Sequence, residues 1–179
     1  LVPARRRDKA KHLILLPTCE VVEADIHDDA ALDRLAAGQD AVINLVGILH
    51  GTQADFTRVH AELPRRTVAA CRKHRIGRLL HVSALGAAAD APSMYLRSKA
   101  AGEAHIREAD LAWTIFRPSV VFGAEDRFLN LFARLARWFP VLPIGGAQAK
   151  FQPVWVQDVA RAIANSLDNE ATYRKTYEL

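Results

Sequence analysis

Cysteine is scarce in this sequence: Cys19 and Cys71 are the only two, far apart and in no Cys-x-x-Cys pair. That excludes a disulfide framework and a cysteine zinc site, and it fits a reducing compartment. The seven histidines include no His-Glu-x-x-His or other paired-ligand spacing, so no metal is expected. No apolar run approaches the roughly 20 residues that span a bilayer. Aromatic residues are few, and none interleaves with the basic clusters Arg5, Arg6, Arg7, Lys9, Lys11 and Arg65, Arg66, Arg72, Lys73, Arg75, Arg78. Single-strand binders combine the two, so nucleic acid is not an expected partner, and the second cluster reads as a solvated helix face. The net charge of +4 is mild, and there is no internal repeat or low-complexity linker.

What remains is ordinary globular composition: 179 residues, half of them apolar and a quarter charged, enough for one domain with a substantial core. Within it, Leu79 to Glu103 gathers a strand, a loop and a helix into one run. Leu79, Leu80, His81 and Val82 form a short, mostly apolar segment ending at Ser83, the pattern of an inner parallel strand, and Ser93 offers an N-cap to the helix that follows. Tyr95 and Lys99 stand four apart and share a face of that helix. A free phenol titrates near roughly 10 and a neighbouring cation favours phenolate. The pair is therefore a candidate general acid/base, with Ser83 a hydroxyl able to bond the substrate oxygen that the phenol protonates. A half-buried Tyr and a solvated Lys at chance spacing is the plainer reading of the same residues.

The flanking segments alternate between strand and helix. Leu1 to Ala4 reads as the tail of a strand running into the basic turn Arg5, Arg6, Arg7, then a helical segment through Leu13 to Leu16. Glu20 to Ala24 is a strand closed by Asp25 and Ile26, followed by a helix capped by Asp28 and ended by Gly38. Ala41 to Leu49 is the most apolar run and is expected to be a central strand, interrupted by Asn44 and Gly47. In the next helix, about Asp55 to His74, Pro64 marks a kink or the true start. Ala112 to Phe116 is a buried strand, and Arg117, Pro118, Ser119 and Val120 turn out of its carboxyl end, where ligands bind in open α/β sheets. Asp126 to Phe139 carries an apolar stripe at Phe128, Leu131, Phe132, Leu135 and Phe139, for packing or for a lipid- or quinone-facing surface. Phe151 to Val156 reads as a strand, Asp158 as the cap of a helix over Val159 to Leu167, and Thr176 to Leu179 as the start of a further strand. The fold class is α/β, a doubly wound parallel sheet.

Tyr95-Leu-Arg-Ser-Lys99 after a strand ending in Ser83 resembles the Tyr-x-x-x-Lys site of short-chain dehydrogenases/reductases. VPARRRDK, AVINLVG, HVSALGA, YLRSKAAGE, EDRFLN and QPVWVQDVA, in that order, resemble an atypical branch of that family. This branch comprises the NADPH-binding accessory subunits of respiratory complex I and bacterial relatives described as NAD-dependent epimerase/dehydratase-like. The resemblance implies a Rossmann-like fold and a nicotinamide dinucleotide, NADP(H) preferred and NAD(H) the alternative. Arg5, with Arg6 next, would pair with the extra phosphate of NADP, a solvated turn being the other reading. Asp25 and Ile26 would sit at the adenine, unless Asp25 merely forms a turn. Asn44, Val46 and Gly47 would line the backbone approach to the cofactor, and Pro118, Ser119 and Val120 would border the nicotinamide. Lys99 would orient the nicotinamide ribose and lower the phenol pKa, with Tyr95, Lys99 and Ser83 as the catalytic set.

The implied function is an oxidoreductase or nucleotide-sugar epimerase/dehydratase-type enzyme on an unknown small molecule. The alternative is a non-catalytic NADPH-binding accessory or redox-sensing module. A cytoplasmic place, with peripheral membrane or protein-complex association, goes with either. Four departures qualify the resemblance. No Gly-x-x-Gly-x-x-Gly run is present, so the first strand and its helix are missing. The strands on either side are then expected about two spacings, roughly 9.6 Å, apart, and the chain to be an excerpt of a longer protein. Leu85 holds the place where extended members carry a second Ser or Thr, which would leave Ser83 a structural hydroxyl. His60 falls near the family's helix Asn. Residues 125–179 would include only the start of a substrate-side lobe.

Overall fold

The structure is a computed structural model that describes residues 1–126, 137–138 and 151–179. Eight strands are described: β1 (Val2–Ala4), β2 (Val21–Glu23), β3 (Ala41–Asn44), β4 (Arg78–Val82), β5 (Ala112–Arg117), β6 (Val121–Phe122), β7 (Val154–Trp155) and β8 (Lys175–Glu178). Between them run α1 (Lys11–Ile14), α2 (Asp29–Ala36), α3 (Gln53–Phe56), α4 (Leu63–His74), α5 (Met94–Arg107) and α6 (Val156–Ser166). All pairings are parallel: β1 with β2, β6 with β7, and a main sheet in the order β3-β4-β5-β8.

Alternation along β4 feeds two cores. Leu79 packs with Val68, Cys71, Ile106 and Ile115 beneath α4 and α5. Its neighbour Leu80 packs with Phe116, Val159 and Ile163 beneath α6. A sheet covered on both faces is what the apolar runs of parallel strands require, and it makes the sheet doubly wound as expected.

β3 departs from expectation. It is an edge of the main sheet, with Ile43 45% exposed, because β1 and β2 pair only with each other. Among the described residues no strand joins β1 to β3. An apolar cavity of about 150 Å³ lies there instead, lined by Leu1, Pro3, Ile26, Val42 and Asn44 among others. The strand also stops early, since the Asn44 side chain accepts from Val46 N–H at 3.1 Å and turns the chain.

Local signals set most element ends. Asp28 Oδ1 accepts from Ala30 N–H at 3.1 Å to cap α2, and Gly38 follows with a φ of +73°. Ser93 Oγ accepts from Leu96 N–H at 3.1 Å, which puts Tyr95 in the first turn of α5. Two expected helices differ. α1 is a single turn, leaving Leu15 and Leu16 exposed. α6 begins at Val156, so Asp158 lies inside its first turn near Arg161 rather than capping it; an acid there still suits the helix dipole.

Arg78 corrects the reading of the second basic cluster as a solvated face. It is buried on β4, where its guanidinium donates to the carbonyls of Leu167, Ala112 and Ser166 and to the hydroxyls of Thr114 and Thr172. The Asp126 to Phe139 helix expected from its apolar stripe lies largely outside the described residues, the whole stripe included.

α3 and α4 are joined through a π-helical segment, Thr57–Glu62, and Pro64 sits where that segment passes into the first turn of α4. π-turns carry an extra residue and commonly mark functional sites. Here the bulge presses the His60 carbonyl against Gly102 of α5, so closely that a Cβ on Gly102 would overlap that oxygen.

Candidate active site

The head of α5 carries the expected pair. The Tyr95 ring is half-buried, edge-on to His60 at 5.4 Å and to Phe56 at 6.3 Å between centroids. Burial pushes its phenol pKa up, opposite to the lowering expected from Lys99. The reason is where the amine goes. Lys99 Nζ donates to the Val82 carbonyl at 3.1 Å and lies against Gly47, where an added Cβ would come within 3.1 Å of it. Lys99 is only 3% exposed, and burial brings its pKa down to about 8 although Glu103 pulls the other way.

His60 stands beside both residues. Its Nε2 accepts from Ile48 N–H at 3.0 Å and its Nδ1 meets Ser98 Oγ at 2.8 Å. Burial, reinforced by the Lys99 charge, takes it down to about 4, so it is neutral at pH 7. His81, fully buried beneath α5, is pushed down to about 3 by burial, and neither ring nitrogen has a partner among the described residues.

Ser83 is buried at the end of β4, and its hydroxyl makes no well-formed hydrogen bond. It faces Glu103 closely enough to help keep that carboxylate charged. Burial of Glu103, 2% exposed, would raise its pKa, but hydrogen bonds from Arg117 and Arg107, with the Ser83 hydroxyl close by, outweigh burial and hold it below the usual range. Arg117 grips it with Nε to Oε1 at 2.9 Å and Nη2 to Oε2 at 2.8 Å, and Arg107 adds a bond at 2.9 Å. Arg117 also donates to the Ala87 carbonyl at 3.0 Å, tying the loop after β4 to the end of β5. The next residues are pinned through their backbones: Pro118 O accepts from Leu85 N–H, Ser119 N–H donates to Leu179 O, and Val120 O accepts from Val154 N–H.

Of the other expected residues, Arg5, Ile26, Val46 and Gly47 line a cavity of about 390 Å³ at the carboxyl ends of β1, β2 and β3, whereas Asp25 does not and Asn44 faces the neighbouring apolar cavity. The larger cavity's lining includes Arg5, Ile26, His27, Val46, Gly47 and Arg58. Arg6 is not among them, because its guanidinium is forked onto Asp8 at 3.0 and 2.7 Å. Asp25 accepts from His27 N–H at 2.9 Å, the turn-forming role of an Asp at a strand end. Asn44 keeps a buried Nδ2 donor with no partner among the described residues. Sequence reasoning missed Arg58 and His27. Only the π segment brings Arg58 round to the cavity, and burial, then the Arg58 charge, lowers the His27 pKa. The one available pointer was that His27 directly follows Asp25 and Ile26. A glycine wall and two arginines suit an anionic nucleotide. Among the described residues no glycine-rich strand-to-helix turn supplies a pyrophosphate cradle, and no cluster of His, Cys, Asp or Glu could hold a metal.

The family model described as NAD(P)H-binding matches residues 2–134. The chain belongs to this NAD(P)H-binding family. Within it, the chain is similar to NADH dehydrogenase [ubiquinone] 1 alpha subcomplex subunit 9, mitochondrial, of Arabidopsis thaliana: 37% identical over 187 residues, covering 100% of the chain and 46% of that protein. It is 36% identical over 143 residues to a ceramide reductase of Caulobacter vibrioides, covering 79% of the chain and 44% of the relative. The chain thus spans less than half the length of these curated relatives. Among solved structures, dTDP-glucose 4,6-dehydratase from Streptomyces venezuelae with NAD and DAU bound superposes with a TM-score of 0.82 at 22% identity, over 97% of this NAD(P)H-binding chain and 62% of the other. That likeness establishes a Rossmann-like fold. The expected resemblance to complex I subunits and to epimerase/dehydratase structures therefore holds. The expected cytoplasmic place finds no support, since the Arabidopsis relative is named mitochondrial. No described helix is long and apolar enough to cross a membrane.

Proposed function

We propose that the Arg5 cavity takes the adenosine end of a nicotinamide dinucleotide, Lys99 holds its nicotinamide ribose, and Tyr95 and Lys99 serve an oxidoreductase or epimerase/dehydratase-type reaction. One observation carries this reading: Gly47 lines the cavity and also touches the Lys99 amine, so one stretch of backbone runs between the two ends of the site. The cofactor supplies the hydride chemistry. The protein's residues bind and orient it and manage a proton. With its pKa raised, Tyr95 is protonated at neutral pH and acts first as a proton donor.

Arg5 is the reader of the extra phosphate that gives NADP(H) preference. A charge-assisted bond of this kind contributes about 1.5–3 kcal/mol, so Arg5→Ala should weaken NADPH by about tenfold or more and leave NADH unchanged. Fluorescence titration of the full-length protein with both nucleotides checks this; equal affinities in the wild type remove the phosphate-reading role. Tyr95→Phe should leave nucleotide affinity intact and lower turnover by at least roughly a hundredfold. Undiminished turnover in that variant would end the acid/base assignment.

A second reading has specific support. Ser83 is turned to Glu103 and Leu85 stands at the neighbouring position, which leaves the substrate oxygen without the expected hydroxyl. Together with the complex I relative, this favours a non-catalytic nucleotide-binding module attached to a larger, membrane-peripheral assembly. Nucleotide-dependent thermal stabilisation without NADPH oxidation, across a panel including sugar nucleotides and keto-lipids, would select it. Oxidation with any member selects the enzyme.

A further inference from the structure

We propose that His60 is a positioning residue that clamps the Gly47–Ile48 loop to the head of α5 and so holds the cavity wall against Lys99. The inference rests on the reading that this cavity and Lys99 bind one dinucleotide.

The hydrogen bonds assign every proton. Ile48 N–H points at Nε2 at 3.0 Å, so that nitrogen must offer its lone pair and the ring proton lies on Nδ1. Nδ1–H then donates to Ser98 Oγ at 2.8 Å, and the Ser98 hydroxyl passes its own proton to the Tyr95 carbonyl at 2.7 Å. The chain runs in one direction from the loop, through the ring, into the first turn of α5. Moving the ring proton to Nε2 would set donor against donor at Ile48, and flipping the ring would put a carbon there instead of the acceptor, so tautomer and orientation are locked together. At 1% exposure no solvent replaces a lost partner.

The geometry explains why the clamp acts on the site and not only on the core. Val46 N–H bonds within its own loop, to Asn44, whereas Ile48 N–H reaches across to His60. Gly47 lies between those two anchors, with the Lys99 amine against it. The π segment that carries His60 is itself seated on Gly102 of α5. Ring, loop and lysine therefore share one frame, and the position of the Gly47 backbone follows the ring.

The test compares His60→Leu, His60→Gln and Ser98→Ala in the full-length protein. Leucine fills the space but bonds to neither neighbour. Glutamine keeps the order of the chain, accepting from Ile48 with its oxygen and donating to Ser98 with its nitrogen. Two readouts are followed: hydrogen exchange of the Ile48 amide without nucleotide, and titration with NADPH and NADH. The expected result is loss of Ile48 protection and about tenfold weaker binding of both nucleotides in His60→Leu, with both properties largely restored in His60→Gln. Arg5→Ala, by contrast, should affect NADPH alone. If His60→Leu fails to fold, Ser98→Ala, which frees only the Nδ1 side, should weaken both nucleotides by a smaller, equal factor; unchanged affinity there overturns the proposal. So does a folded His60→Leu with wild-type affinity, or failure of glutamine to rescue. Absence of nucleotide binding by the wild type overturns the functional reading instead. Ile48 exchange then decides the clamp, and equal protection in wild type and His60→Leu sinks it.

Discussion

Gly102→Ala is expected to destabilise the protein by about 3 kcal/mol or more, at or beyond the top of the range for overpacking. Two effects oppose each other at this position. Helix propensity alone favours alanine over glycine in a helix interior by roughly 1 kcal/mol, so a residue that merely rode along α5 would gain stability on substitution. Sterics point the other way. The added methyl would overlap the carbonyl oxygen of His60 and approach the Pro64 ring to 3.2 Å. A backbone oxygen cannot swing aside like the end of a side chain, so α5 must draw back from the π segment. That withdrawal loosens Ile106 in the core and carries Tyr95, Lys99 and Glu103 with it. For a domain of this size a loss of about 3 kcal/mol lowers Tm by roughly 6–12 °C. Urea or thermal unfolding of the two proteins measures it. A variant at least as stable as the parent would mean that propensity wins and the helices do not cross this closely.

The same contact shows why part of the site was readable from sequence and part was not. Tyr95 and Lys99 announce themselves by spacing, and Ser93 caps their helix through a bond within one turn; such signals are local and survive without knowledge of the fold. Leu79 and Leu80 reveal two covered faces for the same reason. The π segment is different, because it exists only where His60 meets Gly102, about forty positions apart in the chain. Arg58 enters the cavity through that bulge and so was invisible. The apolar run at Ala41 reads as central because it is continuously hydrophobic, and sequence does not say which edge lacks a neighbour. Arg78 reads as the last member of a solvated basic cluster, yet it is buried and saturated by carbonyl and hydroxyl acceptors. The sign of the Tyr95 shift failed similarly: helical spacing put the amine on the right face, but the Val82 carbonyl and Gly47 decide where it ends.

Glu103, one turn beyond Lys99 on the same helix, is the buried carboxylate that two arginines hold. Glu103→Gln should cost about 3 kcal/mol, the lower end for breaking a buried ion pair, because Arg117 keeps some solvent exposure and Arg107 more. The amide is nearly isosteric, so the loss is electrostatic: two guanidiniums face a neutral group, and the bridge from α5 through Arg117 to the Ala87 carbonyl slackens. The pH dependence gives the sign. The folded-state pKa of Glu103 lies below its unfolded value near 4.5, so its stabilisation is complete above that value and is lost as pH falls through the folded one. Wild type and Glu103→Gln should therefore differ most at neutral pH and converge on acidification, and a gap that stays constant across that range would refute the assignment. Adding Arg117→Met should recover much of the loss if its source is the partly buried guanidinium deprived of its Glu103 partner. Lys99 responds in turn: without the Glu103 carboxylate its ammonium loses the neighbour that favours it, and its pKa falls below about 8. Nucleotide affinity in Glu103→Gln should then decline more steeply than in the wild type between pH 7 and 8, which ties the buried arginine pair to the amine that holds the ribose.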